Sequence, residues 1–526
     1  MITETLEFTR QNFDFVIAEN YRIAEEAAEK TARLEQEIIQ ARERYNFLLE
    51  QIKLMNQRHF GKKTEQMNSL EQMEIVFDEI PLPEPETEEP VTETITYTRE
   101  KKKVGRRIDT SKLPREQIVH DLSLAEKKCP TCGQELEKIG EDISEQLEYI
   151  PAQIKVIEHI RPKYTCRCCE TIKAADKPES PLPKSMAGAS LISDVIIKKY
   201  DHHLPWYRQS KIFAQAGIDI PANTLSNWFM QAGAVLEPLK VALWEQLNHT
   251  KVLQADETTV KVLANDIKGY MWVYHSCMAK NRFVLFEYND TRSGAVVNNT
   301  LENYRGILQS DGYSGYNHMR EKPGIIQLGC WAHCRRKFVE VVKLSNQKTG
   351  TAHELVGLIA KLYQTETLAR TDQLTVTARQ KLRQQEAKPI LEKIHKCLTK
   401  AKPPPQSAIG KAITYALNQW KYLQRYVDYG EAEIDNNWVE NQIRPFALGR
   451  KNWLFVGNKD AADTAAFFYS IIQTCKLNNI DPHKYLVCVL NQAGKMRRRE
   501  IDPKILLPQF INQNLLQQIA QKSMPA

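Results

Sequence analysis

The chain has 526 residues, too many for one hydrophobic core, and this length predicts three or more domains. Hydrophobic residues make up 42%, but no apolar run approaches the roughly 20 residues that cross a bilayer, which excludes a membrane-spanning protein. The net charge of +7 divides into −11 for residues 1–98 and +18 for the remainder, so the body of the protein suits a polyanionic partner. Because the first residues lack the basic end and apolar centre of a signal peptide, we expect a cytoplasmic protein with no membrane partner.

A long helix is predicted near the N-terminus, from about Phe15 to His59. Its apolar residues alternate spacings of four and three, as in a coiled-coil heptad: Leu34, Ile38, Ala41, Tyr45, Leu48, Ile52 and Met55. We therefore predict that residues 1–68 form a coiled-coil oligomerisation helix and that the protein is a homo-oligomer, with a dimer expected. The alternative is an amphipathic helix that packs on its own body.

Residues 69–115 are predicted to be an acidic linker followed by a basic arm. Residues 80–90 are rich in Pro and Glu, which is typical of a solvated linker. Residues 99–107 are Arg-Glu-Lys-Lys-Lys-Val-Gly-Arg-Arg, and Arg106 and Arg107 are candidate contacts to DNA phosphates. Such an arm can also be simply exposed.

Clustered cysteines predict a zinc ribbon in residues 116–180. A Cys-Pro-Thr-Cys-Gly motif at residues 129–133 is followed by Cys-Arg-Cys-Cys at residues 166–169, and two cysteine pairs supply the four thiolates of a structural zinc site. We assign Zn²⁺ to four of these residues: Cys129, Cys132, Cys166 and Cys169. Cys168 is either a spare thiol or a competing ligand, and reduced buried thiols are the alternative to a metal site. The predicted ribbon strands are residues 146–151 and 154–164.

The pattern of residues 185–245 is helical and resembles a helix-turn-helix. A first helix ends at Gly217, and a second begins with a cap near Asn223 or Thr224. The candidate DNA-binding residues are Arg208 and Lys211 for phosphates, and Thr224, Ser226 and Asn227 for base edges. Helix pairs with a glycine turn also occur without DNA, but the neighbouring ribbon and basic arm favour DNA here.

Residues 246–337 predict the first part of a catalytic core with a ribonuclease H-like fold. Strands are predicted over residues 252–256, 259–263, 269–275 and 282–288, a helix over 293–304, and strands over 306–311 and 324–330. An antiparallel meander, a crossover helix and a parallel strand follow one another in the order of that fold, which places aspartates at the ends of two adjacent strands. Asp256 and Asp311 occupy those ends. A single aspartate there is more often a turn former, so the prediction depends on their joint placement.

The third carboxylate is expected in a helix that follows a long insertion. Residues 338–430 are predicted to be a helical insertion, and residues 431–480 to return to the core with its last helix and a basic loop. Glu440 lies within that helix, where its position can be fixed, so we prefer it to the rivals Glu433 and Asp435. Residues 481–526 are predicted to be a C-terminal helical tail. The fold class is therefore multidomain α+β.

Three convergent carboxylates suit two Mg²⁺ (or Mn²⁺) ions, which prefer oxygen ligands and can bridge a scissile phosphate. One ion would activate the attacking water or 3′-hydroxyl, and the other would stabilise the leaving oxygen. Asp256, Asp311 and Glu440 are the predicted catalytic and magnesium-binding residues of a polynucleotidyl transferase.

Further candidate DNA contacts lie beside these carboxylates in the sequence. His333, in Cys-Trp-Ala-His at residues 330–333, could contact the scissile phosphate or orient a carboxylate; a buried histidine beside a tryptophan is the alternative. Cations and one stacking surface complete the set: Arg335, Arg336, Arg444, Arg450, Lys451 and Trp453. Trp453 is equally compatible with a core position.

The chain resembles the DDE transposases of the insertion sequence 66 family, the large TnpC-type enzymes of bacterial mobile elements. Matching stretches include His-Phe-Gly-Lys-Lys-Thr-Glu at residues 59–65, the first cysteine pair, Asp-Gly-Tyr-Ser-Gly-Tyr at 311–316, Gly-Cys-Trp-Ala-His at 329–333 and residues 435–455. The resemblance implies Asp256, Asp311 and Glu440 as the triad, binding of terminal inverted repeats, DNA cleavage and strand transfer. It also implies small accessory proteins encoded by the same element as partners. Cys168 departs from the family pattern.

The predicted function is a DNA transposase that acts on double-stranded DNA at the element ends and at the target. The alternative is a sequence-specific DNA-binding regulator with a catalytically inert ribonuclease H-like core. An inert core would have no reason to keep three carboxylates, which argues against that alternative. A ribonuclease H-like hydrolase without strand transfer shares the triad, and the dedicated end-binding domains favour the transposase.

Overall fold

A computed structural model describes residues 15, 17–38, 41, 45, 48, 153–165, 172–176, 178–264, 267–277, 280–344, 349–512 and 516. The basic arm with Arg106 and Arg107 and the five clustered cysteines predicted to form the zinc ribbon lie outside these residues. Contacts divide the chain into two compact units, and the larger, Met1–Glu79 with Glu158–Ala526, contains nearly all of the structure described below. Within the described residues, no helix has the length and apolar character needed to cross a membrane.

The N-terminal segment forms a helix, α1, over residues 17–38, and residues 41, 45 and 48 are also helical. Its predicted heptad residues are exposed: the exposed fractions of Leu34, Ile38, Tyr45 and Leu48 are 48%, 57%, 65% and 59%. Apolar side chains aligned on one exposed helix face are the surface on which a coiled-coil partner packs. The coiled coil itself stays a prediction.

A short hairpin flanks the second cysteine cluster. β1 (Lys163–Thr165) pairs antiparallel with β2 (Ile172–Ala174), and Tyr164 lies opposite Lys173. The strand predicted over residues 154–164 is wrong for most of its length, because residues 153–162 have no regular structure. Their apolar side chains, including Val156 and Ile160, are exposed, so the alternating pattern is not matched by a buried face.

Between the hairpin and the central sheet, the described residues form four α-helices: α2 (Ala189–Tyr200), α3 (Trp206–Gln215), α4 (Ala222–Val235) and α5 (Glu237–Glu245). The predicted helix-glycine-helix is present, with Gly217 at a φ of +87°, a conformation that side chains disfavour. Helix α4 starts earlier than predicted, with Pro221 as its N-cap. A small apolar cluster holds the helix pair together: Val195, Phe213, Ile220 and Leu225.

The central sheet has five strands: β3 (Val252–Val262), β4 (Ile267–Ser276), β5 (Val284–Asn289), β6 (Gly306–Gln309) and β7 (Ile325–Leu328). Their order across the sheet is β5-β4-β3-β6-β7. Strands β3, β4 and β5 pair antiparallel, whereas β6 runs parallel to both β3 and β7. The predicted meander, helix and parallel strand are therefore present, with α6 (Gly294–Thr300) as the connecting helix.

One strand boundary differs from the prediction in a way that concerns Asp256. The two strands predicted over residues 252–256 and 259–263 form the single strand β3, so Asp256 lies in its middle instead of at its end. Pairing with β4 continues to Val262 and prolongs β3, whereas its parallel pairing with β6 stops at Gln254. Asp256 therefore lies at the end of the parallel part of the sheet, although not at the end of its strand.

Between Trp331 and Arg497, the described residues form eight α-helices: α7 (Trp331–Leu344), α8 (Thr351–Thr371), α9 (Val376–Leu382), α10 (Lys388–Lys400), α11 (Ala408–Leu423), α12 (Asn437–Trp453), α13 (Lys459–Leu477) and α14 (Pro482–Arg497). The predicted insertion over residues 338–430 is helical, and its Pro-rich break falls between α10 and α11. Glu440 lies in the first turn of α12, as predicted for the last core helix.

Helix α13 covers the β5 edge of the sheet. Strand β5 has β4 on one side only, and the Thr474 Oγ1 and Ser470 Oγ atoms accept hydrogen bonds from its Val284 and Phe286 amides at 3.0 and 2.8 Å. These hydroxyls replace the missing neighbour strand, which removes an edge that would otherwise pair with another chain. The aromatic rings of Phe229 and Phe468 meet at 5.5 Å and join helix α4 to the same core.

Candidate active site

The register of the parallel strands brings Asp256 and Asp311 to equivalent positions. Val252 lies opposite Ile307, and Gln254 lies opposite Gln309. Each aspartate follows its paired glutamine by two residues, so the same register, continued past the end of β6, sets Asp256 beside Asp311. Because residues two apart in a strand share a face, Gln254, Asp256 and Thr258 point to the same side of β3.

The surroundings of Asp256 disfavour its charged form. Burial raises the pKa of Asp256 to about 8, and the negative charges of Glu257, Asp311 and Glu440 act in the same direction. The Glu257 amide, which donates a hydrogen bond to Asp256 Oδ1 at 2.8 Å, acts against this shift. Asp311 and Glu440 are therefore close enough to Asp256 for their charges to raise its pKa, and a cation beside Asp256 would offset this repulsion.

The Asp311 carboxylate is held by its own loop. The Tyr313 amide donates to Asp311 Oδ1 at 2.9 Å. A Cβ atom at Gly312 would lie 2.7 Å from the ring of Tyr415, which belongs to helix α11 of the insertion. The insertion thus packs directly on the loop that carries Asp311, and glycine is required there for the close approach.

Glu440 faces two nitrogen-containing side chains of helix α7. Its Oε2 lies 3.4 Å from the Arg336 guanidinium, and its Oε1 lies 3.6 Å from His333 Nδ1. The second distance is too long for a hydrogen bond, and Glu440 Oε1 is buried without a hydrogen-bond partner within the described residues. Burial lowers the pKa of His333, partly against the charge of Glu440, so the ring is mostly neutral at pH 7.

The rival carboxylates Glu433 and Asp435 have other partners. Glu433 forms ion pairs with Arg370 and Arg379 at 3.0 and 2.9 Å. Burial alone would raise the pKa of Glu433, but the two guanidinium groups outweigh burial and hold the pKa at about 2. Asp435 accepts hydrogen bonds from Tyr363 Oη at 2.8 Å and from the Asn437 amide at 3.1 Å. Both carboxylates are therefore occupied by protein groups.

The donor set at Asp256, Asp311 and Glu440 fits a divalent cation that prefers oxygen. The raised pKa of Asp256 and the unpartnered oxygen of Glu440 are both features that a bound cation would relieve. As the side chains stand, no three His, Cys, Asp or Glu residues in the described part of the chain are close enough together to hold an ion. Binding would therefore draw these carboxylates toward one another.

A fourth acidic residue, Glu257, lies beside the predicted carboxylates and was not predicted from the sequence. Its carboxylate is buried and accepts hydrogen bonds from Arg292 Nε at 2.7 Å and from Tyr316 Oη at 2.8 Å. The Arg292 guanidinium in turn lies 3.8 Å from the centre of the Tyr313 ring. Two tyrosines of this network, Tyr313 and Tyr316, lie in the Asp-Gly-Tyr-Ser-Gly-Tyr motif at residues 311–316, which is the part of the network that the sequence could have indicated. The partners Glu257 and Arg292, 35 residues apart, gave no such signal.

Two of the predicted DNA-binding residues are buried in the described structure. Trp453 is 6% exposed and packs edge-on against Phe446 with ring centroids 5.6 Å apart, so its ring belongs to the hydrophobic core. Arg335 is 8% exposed because it lies on the inner face of the amphipathic helix α7. In this structure, therefore, Trp453 does not present an exposed stacking surface and Arg335 does not present an exposed cation to DNA. Arg450 is half-buried and donates to Thr258 Oγ1 at 3.1 Å, which ties helix α12 to strand β3.

The remaining predicted contacts lie at the surface. Six are exposed: Arg208, Lys211, Asn227, Arg336, Arg444 and Lys451. Three are half-buried: Thr224, Ser226 and His333. In the helix pair, Arg208 and Lys211 lie on α3 and the candidate base-reading residues lie in the first turns of α4, as predicted. Their role in DNA binding stays a prediction.

Three models of known protein families match successive parts of the chain. The model described as "Transposase IS66 family" matches residues 184–464, more than half of the chain. The "zinc-finger binding domain of transposase IS66" matches residues 126–170, which include all five clustered cysteines. A third model, "Transposase C of IS166 homeodomain", matches residues 48–118.

Three proteins of Sinorhizobium fredii (strain NBRC 101917 / NGR234) are similar over most of their length. The uncharacterized protein y4jD is 33% identical over 402 residues, which cover 72% of this chain and 77% of the relative. The uncharacterized protein y4hP is 33% identical over 69% of this chain and 70% of its own length. The uncharacterized protein y4qI is 30% identical over 91% of both chains. The chain therefore belongs to the IS66 transposase family.

Proposed function

We propose that the chain is a DDE-type DNA transposase with a ribonuclease H-like core, in which Asp256, Asp311 and Glu440 form the active site. The observation that carries the proposal is that Asp311 and Glu440, from a neighbouring strand end and a distant helix, lie near enough to the buried Asp256 for their charges to raise its pKa. The strand order β5-β4-β3-β6-β7, with its antiparallel and parallel halves, supports the fold assignment. The separate engagement of Glu433 and Asp435 supports Glu440 as the third member.

Asp256, Asp311 and Glu440 would hold the metal ions, and the chain's other groups would bind and orient DNA around them. When bound, Mg²⁺ or Mn²⁺ would supply the positive charge that activates the attacking oxygen and stabilises the leaving oxygen. Arg336, which lies 3.4 Å from Glu440 and is exposed, is suited to hold a phosphate of the strand beside this carboxylate. His333, between Cys330 at 3.3 Å and Glu440 at 3.6 Å, is suited to orient Glu440.

The other parts of the chain would bring element ends to this site. Zn²⁺ bound by Cys129, Cys132, Cys166 and Cys169 would stabilise the ribbon, and the helix pair α3–α4 would contact the terminal inverted repeats. The exposed apolar residues of the predicted heptad, Leu34, Ile38, Tyr45 and Leu48, are here called the seam of α1. This seam supports pairing of two copies of the chain, which would hold two element ends together. Zinc content that is unchanged by Cys129→Ser would contradict the metal assignment.

The experiment is cleavage and joining of a duplex that carries a terminal inverted repeat of the encoding element, with Mg²⁺. The wild-type chain is expected to cut and join this DNA, and Asp256→Asn to bind it without cutting. The matched control is Asp460→Asn, at an exposed aspartate in the first turn of α13. Specific binding without cleavage by the wild type would instead support a DNA-binding regulator, and unchanged activity of Asp256→Asn would contradict the mechanism.

A further inference from the structure

Two buried glutamines connect the segments that carry the three carboxylates. Gln254 of β3 and Gln309 of β6 lie side by side in the parallel register, and both are fully buried. Gln254 Nε2 donates to Gln309 Oε1 at 2.9 Å and to the Asp435 carbonyl oxygen at 2.7 Å. Gln254 Oε1 accepts from the Val439 amide at 3.1 Å. One side chain thus contacts the neighbouring strand and the beginning of helix α12.

Backbone partners fix the orientation of both amides. The Val439 N–H can only donate and the Asp435 carbonyl can only accept, so the oxygen and nitrogen of Gln254 cannot exchange places. Gln309 Nε2 donates to the carbonyl oxygens of Gly329 and Glu433 at 3.2 and 2.9 Å, which leaves its oxygen toward Gln254. A hydrophobic side chain at either position would leave two backbone groups without these hydrogen bonds.

The contacts of helix α12 lie on both sides of Asp256 along β3. On one side, Gln254 binds the amide of Val439, the residue before Glu440. On the other side, Arg450 donates to Thr258 Oγ1 at 3.1 Å and to Thr259 Oγ1 at 2.9 Å. Because Gln254, Asp256 and Thr258 share one face of the strand, the helix is attached before and after the aspartate, with Glu440 in the turn nearest Gln254.

We propose that Gln254 and Gln309 are positioning residues that set the distance of Glu440 from Asp256 and Asp311, without touching metal or DNA themselves. This inference rests on the proposed function, because it assigns a purpose to the distance between these carboxylates. Gln254 and Gln309 lie two residues before Asp256 and Asp311, so a single amide pair links all three carboxylate-bearing segments. Without this amide pair, the start of α12 is no longer attached to β3 and β6, and Glu440 moves relative to Asp256 and Asp311. Metal binding is therefore weakened more than DNA binding.

The test uses the full chain and two volume-conserving variants, Gln254→Met and Gln309→Met. Three quantities are measured: the Mg²⁺ concentration at half-maximal DNA cleavage, the rise in melting temperature on addition of Mn²⁺ without DNA, and the affinity for terminal-repeat DNA in EDTA. Both variants are expected to raise the half-saturating Mg²⁺ concentration about tenfold or more, as loss of groups that orient metal ligands does. Their Mn²⁺-induced melting shift is expected to shrink, and their DNA affinity to stay within about twofold of wild type.

The matched control is Gln209→Met. Gln209 is equally buried and donates to two backbone carbonyls, those of Val195 and Leu204, at 3.2 and 3.0 Å, but it lies in the helix pair away from the carboxylates. It is expected to lower the melting temperature without changing the half-saturating Mg²⁺ concentration or the Mn²⁺-induced shift. The control therefore separates loss of stability from loss of metal-site geometry.

The result that overturns the proposal is a Gln254→Met or Gln309→Met protein with the metal dependence and Mn²⁺ shift of the wild type, whatever its stability. If Gln254→Met does not fold, Gln309→Met alone decides, because it keeps the Gln254 contacts to Asp435 and Val439. Failure of the transposase proposal is distinguishable: the wild type itself would then neither cleave DNA nor gain stability from Mn²⁺. An active wild type, an inactive Asp256→Asn and unaffected glutamine variants would contradict only the positioning role.

Discussion

At the scale of single residues, Glu433, Asp435 and Glu440 lie in one short segment and differ in what surrounds them. Glu433 is paired with two arginines, Asp435 is hydrogen-bonded to Tyr363 and Asn437, and Glu440 has a buried oxygen without a partner within the described residues. The sequence indicated all three as candidates for the third metal-binding carboxylate but could not show which one is available. Their partners Arg370, Arg379 and Tyr363 come from the insertion, more than fifty residues earlier. Distant partners of this kind leave no local pattern.

Glu433→Gln is expected to lower the free energy of unfolding at neutral pH by about 1–3 kcal/mol, because the largely buried Arg379 guanidinium keeps Glu366 as a partner but loses its second carboxylate. The folded pKa of Glu433, about 2, lies below its ordinary value of 4.5, so its contribution is present above that ordinary value and is lost as pH falls through the folded pKa. The difference between wild type and variant should therefore shrink between about pH 4.5 and pH 2. Urea unfolding across this range measures it, with Glu431→Gln as the control; a difference independent of pH would contradict the ion-pair account.

Trp453→Ala is expected to destabilise the protein by about 3–5 kcal/mol, because it empties a buried site against Phe446. The exposed neighbour Lys451→Ala should leave stability within about 0.5 kcal/mol and weaken DNA binding, with a smaller dependence on salt. Chemical unfolding and DNA titration at two salt concentrations measure both effects. A Trp453→Ala protein of normal stability that binds DNA poorly would show that the ring stacks on bases after all.

At the scale of elements, the succession of strands could be predicted but their ends could not. Alternating and continuous apolar runs indicated β3 to β7, and the crossover helix between β5 and β6 was also expected. The length of β3 depends on its hairpin with β4, which extends past the end of β6, so the pairing and not the local sequence decides where the strand ends. The strand predicted over residues 154–164 failed for a related reason, since most of that pattern has no neighbouring strand in the described structure.

Helix α13 stabilises the sheet edge through two hydroxyl groups, and this contact can be tested at Thr474. Thr474→Val keeps the shape of the side chain but leaves the buried Val284 amide without its acceptor, which should cost about 1–3 kcal/mol of unfolding free energy. Thr474→Ser keeps the hydroxyl and should recover most of that loss. The free energies come from urea unfolding of the three proteins; equal stability of the Val variant and the wild type would contradict the edge-covering role.

At the scale of the whole molecule, the helical insertion supports the candidate site. Tyr415 packs on Gly312 beside Asp311, Tyr363 donates to Asp435, and Arg379 pairs with Glu433 just before helix α12. The sequence predicted the insertion as a helical segment without a role. These contacts join the insertion to the segments that carry Asp311 and Glu440, so changes in the insertion should affect the candidate site without touching DNA.

The exposed seam of α1 predicts self-association of the whole chain. Leu34→Lys with Ile38→Lys places charges on the seam and should convert the oligomer to monomers, because charged residues in a heptad core disfavour packing. Gln36→Lys with Gln40→Lys adds the same charge on the outer face of the predicted heptad and should leave the oligomer intact. Sedimentation velocity measures the mass of each; a seam variant with the wild-type mass would favour the amphipathic-helix alternative.

The most direct test of the central claim is single-turnover cleavage of terminal-repeat DNA by Asp311→Asn and Glu440→Gln, beside Glu433→Gln and Asp435→Asn. All four proteins are assayed with Mg²⁺ at matched concentrations of folded protein and at saturating DNA. The account predicts that Asp311→Asn and Glu440→Gln lose cleavage while still binding DNA, and that Glu433→Gln and Asp435→Asn retain it once stability is taken into account. Retained cleavage by Glu440→Gln, with loss in Glu433→Gln or Asp435→Asn, would contradict the assignment of the third carboxylate.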